Sequence, residues 1–267
     1  MDGSEHQSSY REYAPGSPLK EQLVCLWTQS VSATGHVSQP VYPDTCIDIL
    51  FFNNAAPIVV GPWTQPFTAQ LTPGTCIVGA RLRPGAALLF DLPAAQLLNR
   101  AIPLADVWGR RRTANIERLN ELHDPGERCS ALEGTLLRAL SGRGVDLSVL
   151  DGLRWLARNP NGSVEQLSAR LGMSARQIQR RFGSSVGYGP KMFQSVLRFQ
   201  RLLHLLGRAS PPRNLAYVAA DAGYSDQAHM TREVQRFSGK SPSTLFAAAR
   251  SALEMSELVD IHLPSMR

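Results

Sequence analysis

The sequence predicts an α+β protein of two unlike halves. The first is a small β-sandwich or barrel-like domain with some helices. The second is an all-α domain of two helix-turn-helix units joined by a bridging helix. Three observations carry this expectation. One sequence pattern is written twice, in residues 163–190 and 214–242. Short runs of strand-forming residues between Gly and Pro turns fill the first half. The net charge of +6 is also divided: residues 1–142 hold 11 Lys+Arg against 13 Asp+Glu, and residues 143–267 hold 17 against 9.

The bounds come from length and composition. A chain of 267 residues has room for one or two domains, and 43% hydrophobic residues suit a soluble core. No apolar run approaches the ~18 residues of a membrane span. The opening MDGSEHQSSYREY is polar and is not a secretory signal. Cys25, Cys46, Cys76 and Cys129 are scattered singly, so neither a zinc site nor a disulfide framework is expected. Reduced thiols in a cytoplasm fit better. No cofactor and no metal are expected.

In order along the first half, residues 1–9 are expected to be disordered. An extended segment then begins at Tyr10, turns at Pro15-Gly16 and leads to an apolar stretch at 23–27. Strands are expected at 45–52, 58–60 and 75–82, punctuated by Pro43-Asp44, Asn53-Asn54, Gly61-Pro62, Pro73-Gly74 and Pro84-Gly85. From Ala86 the pattern turns helical, with helices expected at 94–99, 113–122 and 125–140.

The candidate chemistry of this half is sparse. Asp44 and Asp48 are spaced to share a strand face and could form an acid pair, but an Asp beside Pro is more often a turn former. His36 and His123 have no ligand-spaced partners. Arg81 and Arg83 share a strand face that could hold an anion, against the blander reading of a solvated face. Trp27, Trp63 and Trp108 read as core packing before they read as a pocket. Arg110, Arg111 and Arg112 read as a basic loop.

The best domain boundary is LSGRGV at 140–145, where Gly142 and Gly144 break the helical pattern. The division expected is therefore a sensor or dimerisation domain at 1–142, a DNA-binding domain at 143–253 and a tail at 254–267. A first helix at 146–159 is stopped by Asn159-Pro160. The two units follow, at 163–187 and 214–239. In the first, Ser163 and Gln166 make a capping box, Val164, Leu167 and Leu171 share a face, and Gly172 takes the turn. Ser174 and Gln177 cap the next helix, whose apolar stripe is Ile178 and Phe182. An offset of 51 maps Val164, Leu167, Leu171 and Gly172 onto Leu215, Val218, Ala222 and Gly223; an offset of 52 maps Ile178, Phe182, Gly187 and Pro190 onto Met230, Val234, Gly239 and Pro242. Between the units, residues 190–207 are apolar on most sides and must be covered by both, over a length of about 27 Å. A closing helix is expected at 243–252.

A basic block confined to repeated helix-turn-helix units is the footprint of a polyanion binder. With Ile178 and Phe182 inward, Arg176 and Arg180 face outward, flanked by Gln177, Gln179 and Ser184. With Met230 and Val234 inward, Ala228 and Arg232 face outward, flanked by His229, Thr231, Gln235 and Arg236, and Gln227 lies in the first turn. Arg matches the major-groove acceptors of guanine, and Gln matches adenine.

The segments LGMSARQIQRRF (171–182), Gly187-x-x-Pro190, the bridging helix and AADAGYSDQAHMTREVQRFSGKSP (219–242) resemble the AraC/XylS family of bacterial transcription regulators. Ala228 stands where that family often has Ser, and Met230 and Val234 where Phe is usual. The resemblance covers about the last hundred residues. It implies base contacts at Arg176 and Arg180 in the first unit and at Gln227, Ala228 and Arg232 in the second. YPDTCIDILF (42–51), VGARLRPGAA (78–87) and IPLADVWG (102–109) resemble the uncharacterised N-terminal domain of one branch of the family. The function expected is a cytoplasmic, sequence-specific regulator, an activator, that reads two adjacent major grooves of promoter DNA. RNA polymerase, a small-molecule effector and a second copy of the chain stand as candidate partners, with no membrane. The alternative is a DNA-binding protein fused to a catalytic domain, for example an alkyl-transfer domain using one of the four cysteines.

Overall fold

The computed structural model describes residues 8–34, 36–53, 55–86, 90, 92–110, 113, 118–122, 124–140, 145–207 and 215–254. The linker residues 141–144, Arg111, Arg112, His123, residues 1–7 and the tail from 255 lie outside the described residues, as does the start of the second unit at 214.

Eight strands appear among the described residues of the first half: β1 (Ser8–Tyr13), β2 (Leu23–Val31), β3 (Val37–Val41), β4 (Ile47–Phe52), β5 (Ile58–Val60), β6 (Phe67–Leu71), β7 (Cys76–Leu82) and β8 (Ala101–Pro103). Six form an antiparallel sheet in the order β1-β2-β7-β4-β5-β8, and β3 pairs antiparallel with β6 in a two-stranded ribbon. Strict alternation in β4 explains the layering. Ile47, Ile49 and Phe51 are buried on one face, while Asp48, Leu50 and Phe52 are part-buried on the other. The first face joins Val59, Val78, Ala80 and Leu82 under two helices, α1 (Leu104–Trp108) and α2 (Pro125–Leu140), which contribute Leu104, Val107, Leu132 and Leu136. The opposite face gathers Cys25, Trp27 and Ile77 with Leu71 of the ribbon.

A bulge between Leu23 and Cys25 reconciles β2 with both faces. The extra residue lets Leu23 and Leu26, three apart, sit opposite Leu82 and Ala80 on the helical face, while Cys25 and Trp27 point to the ribbon. The apolar stretch at 23–27 is therefore the start of a strand. The ribbon strands were not expected: VSQPV and FTAQL are five residues each and exposed at alternate positions, and Pro40 confines β3 to an edge. The helix expected at 94–99 shrinks to a 3₁₀ turn, Ala94–Gln96, because Pro93 offers no side-chain cap and Asn99 turns to φ 54°. Of the helix expected at 113–122, Thr113 is helical, Arg118–Glu121 is a 3₁₀ turn and residues 114–117 lie outside the described ones. Ser8 and Ser9, expected disordered, pair with Val31 and Ser30.

The second half is helical: α3 (Leu147–Arg158), α4 (Val164–Leu171), α5 (Ala175–Val186), α6 (Pro190–Leu206), α7 (Leu215–Ala222), α8 (Gln227–Ser238) and α9 (Pro242–Glu254). Both capping boxes form, Ser163 with Gln166 and Ser174 with Gln177, and Gly172 ends α4 at φ 63°. One core surrounds Leu153, Leu167, Ile178, Phe182 and Phe193; a second surrounds Phe199, Leu203, Val218, Met230, Val234 and Phe237. The bridging helix α6 feeds both.

The halves meet along α6 and between α5 and the Ala94–Gln96 turn. Tyr42 approaches Phe199 edge-on at 5.8 Å, Gln200 donates its side-chain amide to the Pro43 carbonyl, and Leu98 joins the core of the first unit. Behind Pro43, Arg81 lies 3.2 Å from Asp48 and 3.8 Å from Asp44, and Trp27 donates to Asp48 at 3.1 Å. The strand face that could have been solvated is thus an ion triad. The Asp44 side chain also accepts from Cys46 N–H at 3.0 Å, the turn-forming role. Burial pushes the Asp44 carboxyl up; Arg81 opposes and Asp48 adds to the rise. Burial likewise pushes up the phenol of Tyr188, which lies near Asp44 and Cys46. Arg83 separates from Arg81: it lies beyond the strand and donates to the Lys20 carbonyl at 2.9 Å. Trp27 and Trp108 are buried in the two cores, whereas Trp63 sits half-buried in a loop, stacked on Phe67 at 4.5 Å.

Trp27 needs a residue without a side chain beneath it. A Cβ on Gly79, its partner across β2 and β7, would lie 2.2 Å from the indole ring. Gly79→Ala is expected to lower stability by about 1–3 kcal/mol, read as a reduced midpoint in urea unfolding with an unchanged slope.

Candidate nucleic-acid interface

Each unit is a short helix, a tight turn and a second helix. The tight turn comes from Gly172 in the first unit and from Gly223, at φ 91°, in the second. The second helix is fixed by its N-cap. Ser174 caps α5 and Asp226 caps α8, the latter accepting from His229 N–H at 2.7 Å and from the Ser225 hydroxyl at 3.0 Å. Ile178 and Phe182 of α5, and Met230, Val234 and Phe237 of α8, are buried. That buried stripe leaves the other face of each helix to water.

On α5, Arg176, Gln177, Gln179 and Arg180 are all exposed. Gln177 is tied to Ser174 by the capping box, and the Gln179 side chain lies against Gly189. On α8, Gln227, Ala228, Thr231, Arg232 and Arg236 are exposed. Arg236 stacks over the Phe237 ring at 5.3 Å, and Thr231 donates to the Gln227 carbonyl at 2.8 Å. His229 is the exception. It is half-buried, edge-on to Tyr224 at 5.3 Å, with Nδ1 3.1 Å from the Ser225 hydroxyl and Nε2 3.5 Å from Glu233.

Residues beyond the sequence expectation hold the two units together. Arg198 of α6 pairs with Glu233 of α8 at 3.0 Å, with both side chains largely buried, and donates to the Pro160 carbonyl of the first unit at 3.3 Å. Its guanidinium lies 5.8 Å from the centre of the Tyr224 ring. Gln194 is buried and donates to the Gly162 carbonyl at 2.8 Å. Pro160 meets Gly223 directly: a Cβ there would lie 2.9 Å away. In the first unit, Arg181 pairs with Asp146 and Arg170 forms a two-pronged bond to Asp151. The available signal for Arg198, Gln194 and Gln200 was a polar residue inside an otherwise apolar helix.

Among the described residues no group of three or more His, Cys, Asp and Glu could hold a metal, and no helix is long and apolar enough to cross a membrane. All four cysteines are free. Burial pushes the thiols of Cys25 and Cys129 up to about 12 and about 11, and that of Cys46 well above its ordinary value.

Residues 167–248 match the model of a helix-turn-helix domain. These residues are an AraC-type helix-turn-helix domain. Residues 11–103 match a domain of unknown function, DUF6597, in agreement with the resemblance of the first half to an uncharacterised domain. No curated protein matches the sequence. Among solved structures, ToxT from Vibrio cholerae is similar at 10% identity over 90% of this chain and 97% of that one, with a TM-score of 0.44. Wild-type ToxT of V. cholerae strain SCE256 with a bound unsaturated fatty acid is similar at 10% identity over 92% and 97%, with a TM-score of 0.41. ToxT of V. cholerae O395 bound to (E)-4-(8-methylnaphthalen-1-yl)but-3-enoic acid is similar at 11% identity over 91% and 98%, also with a TM-score of 0.41.

Within the AraC-type domain, truncating Arg198 strands a largely buried carboxylate. Arg198→Met is expected to cost about 3 kcal/mol, with most of it recovered in Arg198→Met/Glu233→Met, measured by urea unfolding. The cap of α8 carries a pH signature. Hydrogen bonds from His229 N–H and the Ser225 hydroxyl hold the Asp226 carboxyl below its ordinary value. A lowered native value means stability that is complete above the ordinary range near 3.9 and lost as pH falls through the native value. The Tm gap between wild type and Asp226→Asn is therefore expected to be full at neutral pH and to close on acidification.

Proposed function

We propose that this chain is a transcription regulator whose two recognition helices, α5 and α8, read two adjacent major grooves of promoter DNA. The observation that carries the reading is the orientation of the repeat within the fold. Both recognition helices are held by the rest of the chain at their C-terminal ends, and both keep the N-terminal part of their outer face exposed. The N-terminal residues of a recognition helix are the ones that reach base edges.

In this reading Arg176, Gln177, Gln179 and Arg180 form the first contact set, and Gln227, Ala228, His229, Thr231, Arg232 and Arg236 the second. Arg180 and Arg232 take guanine, and Gln227 takes adenine. The half-buried His229 acts from the edge of the set. Other Lys and Arg side chains of the basic half supply phosphate contacts and most of the affinity. The bridging helix, 17 residues long and so about 26 Å at 1.5 Å per residue, spaces the two units for successive grooves on one side of the duplex, which lie about 34 Å apart.

The functional division is a sensor or dimerisation unit at 1–142 and a DNA-binding unit at 143–253, in a cytoplasmic protein. A small-molecule effector, a second copy of the chain or RNA polymerase would act through the first half, which packs on α6 and so bears on both units. The alkyl-transfer alternative draws no support from Cys25, Cys46 or Cys129, whose thiols burial keeps protonated and weakly nucleophilic.

Arg180→Ala and Arg232→Ala are each expected to cost about 1–3 kcal/mol on a selected duplex and to relax base preference at one position each. Equal loss on every sequence, with a shallower salt dependence, would reassign the side chain to phosphate contact. Fluorescence anisotropy on matched and single-substituted duplexes across a salt series distinguishes the two.

A further inference from the structure

The repeat has a counterpart in the first half, at the ends of the recognition helices that face away from the exposed arcs. Gly187 and Gly239 occupy the same place in the two units: each is the left-handed C-cap of its recognition helix, at φ 99° and φ 69°. Both face a single segment, residues 61–67 (GPWTQPF). A Cβ on Gly187 would lie 2.9 Å from Pro62 Cγ, and a Cβ on Gly239 would lie 3.8 Å from Pro66 Cγ. Two prolines four residues apart thus bear on the equivalent ends of both recognition helices.

The segment is stiff. Asn99, held at φ 54°, accepts from Thr64 N–H at 2.7 Å, and its own N–H donates to the Pro62 carbonyl at 3.0 Å. Gly61 N–H donates to the Arg100 carbonyl at 2.9 Å, and the Trp63 ring stacks on Phe67. Proline adds fixed φ at both contact points. The two contacts differ in tightness. At the first unit Pro62 is buried and Ala94 O closes in at 3.3 Å from the same built Cβ. At the second, a cavity of about 310 Å³ opens between Pro40, Pro66 and Phe67 on one side and Ser238 and Lys240 on the other.

We propose that residues 61–67 are a positioning element for DNA recognition: Pro62 fixes the first unit to the first half, and Pro66 limits where the second recognition helix can sit, so the first half sets the separation of the two half-sites within the range that packing on α6 allows. The inference rests on the two-groove reading above. It makes Pro66 a determinant of specificity that touches no base. The mechanical reason is the pitch of DNA, because one added base pair moves the second half-site by about 3.4 Å and turns it by about 35°. A stiff pair of helices does not follow that change, and a slack pair does.

The test uses the full chain. Selection from a pool of duplexes with a randomised core gives the bound sequence, and affinities are then measured on duplexes whose half-sites are moved apart or together by single base pairs. Wild type is expected to lose about 10-fold or more per base pair of altered separation, the scale of one mismatched pair. Pro66→Gly, and a second variant with one glycine inserted after Gln65, are expected to keep both half-site sequences and an unchanged Tm while losing less than about 3-fold. If the variants show the same sharp separation as wild type, the positioning role is overturned and the two-groove reading stands. If wild type itself tolerates every separation equally, the positioning role alone is overturned; if it selects a single half-site, both fall together.

Discussion

A helix of 17 residues with eleven buried side chains has almost no face left for water. α6 is such a helix, and the second half is built as a consequence. Val196, Phe199, Leu203 and Leu206 need the second unit over them, and Phe193 and Leu197 need the first. Neither unit closes a core without this shared partner, so the separation of the recognition helices is tied to the one element they both pack on. Arg198 adds direction to the apolar packing. Its guanidinium meets Glu233 on one side and the Pro160 carbonyl on the other, which restricts rotation about the helix axis. Desolvation limits the net stabilisation from such a pair, so its contribution is more to geometry than to free energy.

The junction between the halves follows the same logic with different chemistry. Tyr42 and Leu98 supply apolar contact, and Gln200 supplies a directed hydrogen bond. Below them Arg81 stays charged between Asp48 and Asp44 in spite of its burial. Two carboxylates around one guanidinium are held together by mutual need: removing Arg81 would leave like charges facing each other out of water. This anchors the 42–46 loop, and with it the surface that meets α6.

The second half was largely legible in the sequence because its signals are local. A capping box, a turn glycine and an apolar stripe each lie within one or two helical turns, and the repeat reads each signal twice. The outward faces of α5 and α8 follow from the same periodicity. What was not legible was pairing between distant residues. β3 and β6 are only five residues each, β3 carries Ser38 beside Gln39 and a proline, and they pair only with each other, so neither run is long enough or apolar enough to stand out as a strand. Arg81 looked like a solvated side chain because its two carboxylate partners lie 33 and 37 positions away, across a sheet whose register the sequence does not state. His229 sits on the outward arc of its helix, yet Tyr224, Ser225 and Glu233 draw it partly inward. Gly79 carries no local signal for its role, because the place under the Trp27 ring depends on a neighbour across the sheet.

Sharing one helix also changes what the peptide chain between the units has to do. Pro160 packs on Gly223, Arg198 spans both units, and the two cores meet along α6. Contacts of this kind hold the second unit in register. The second half is therefore expected to melt as a single cooperative body. A cut in the thread after Gly207 would leave two fragments still docked, able to exchange only as slowly as that body opens.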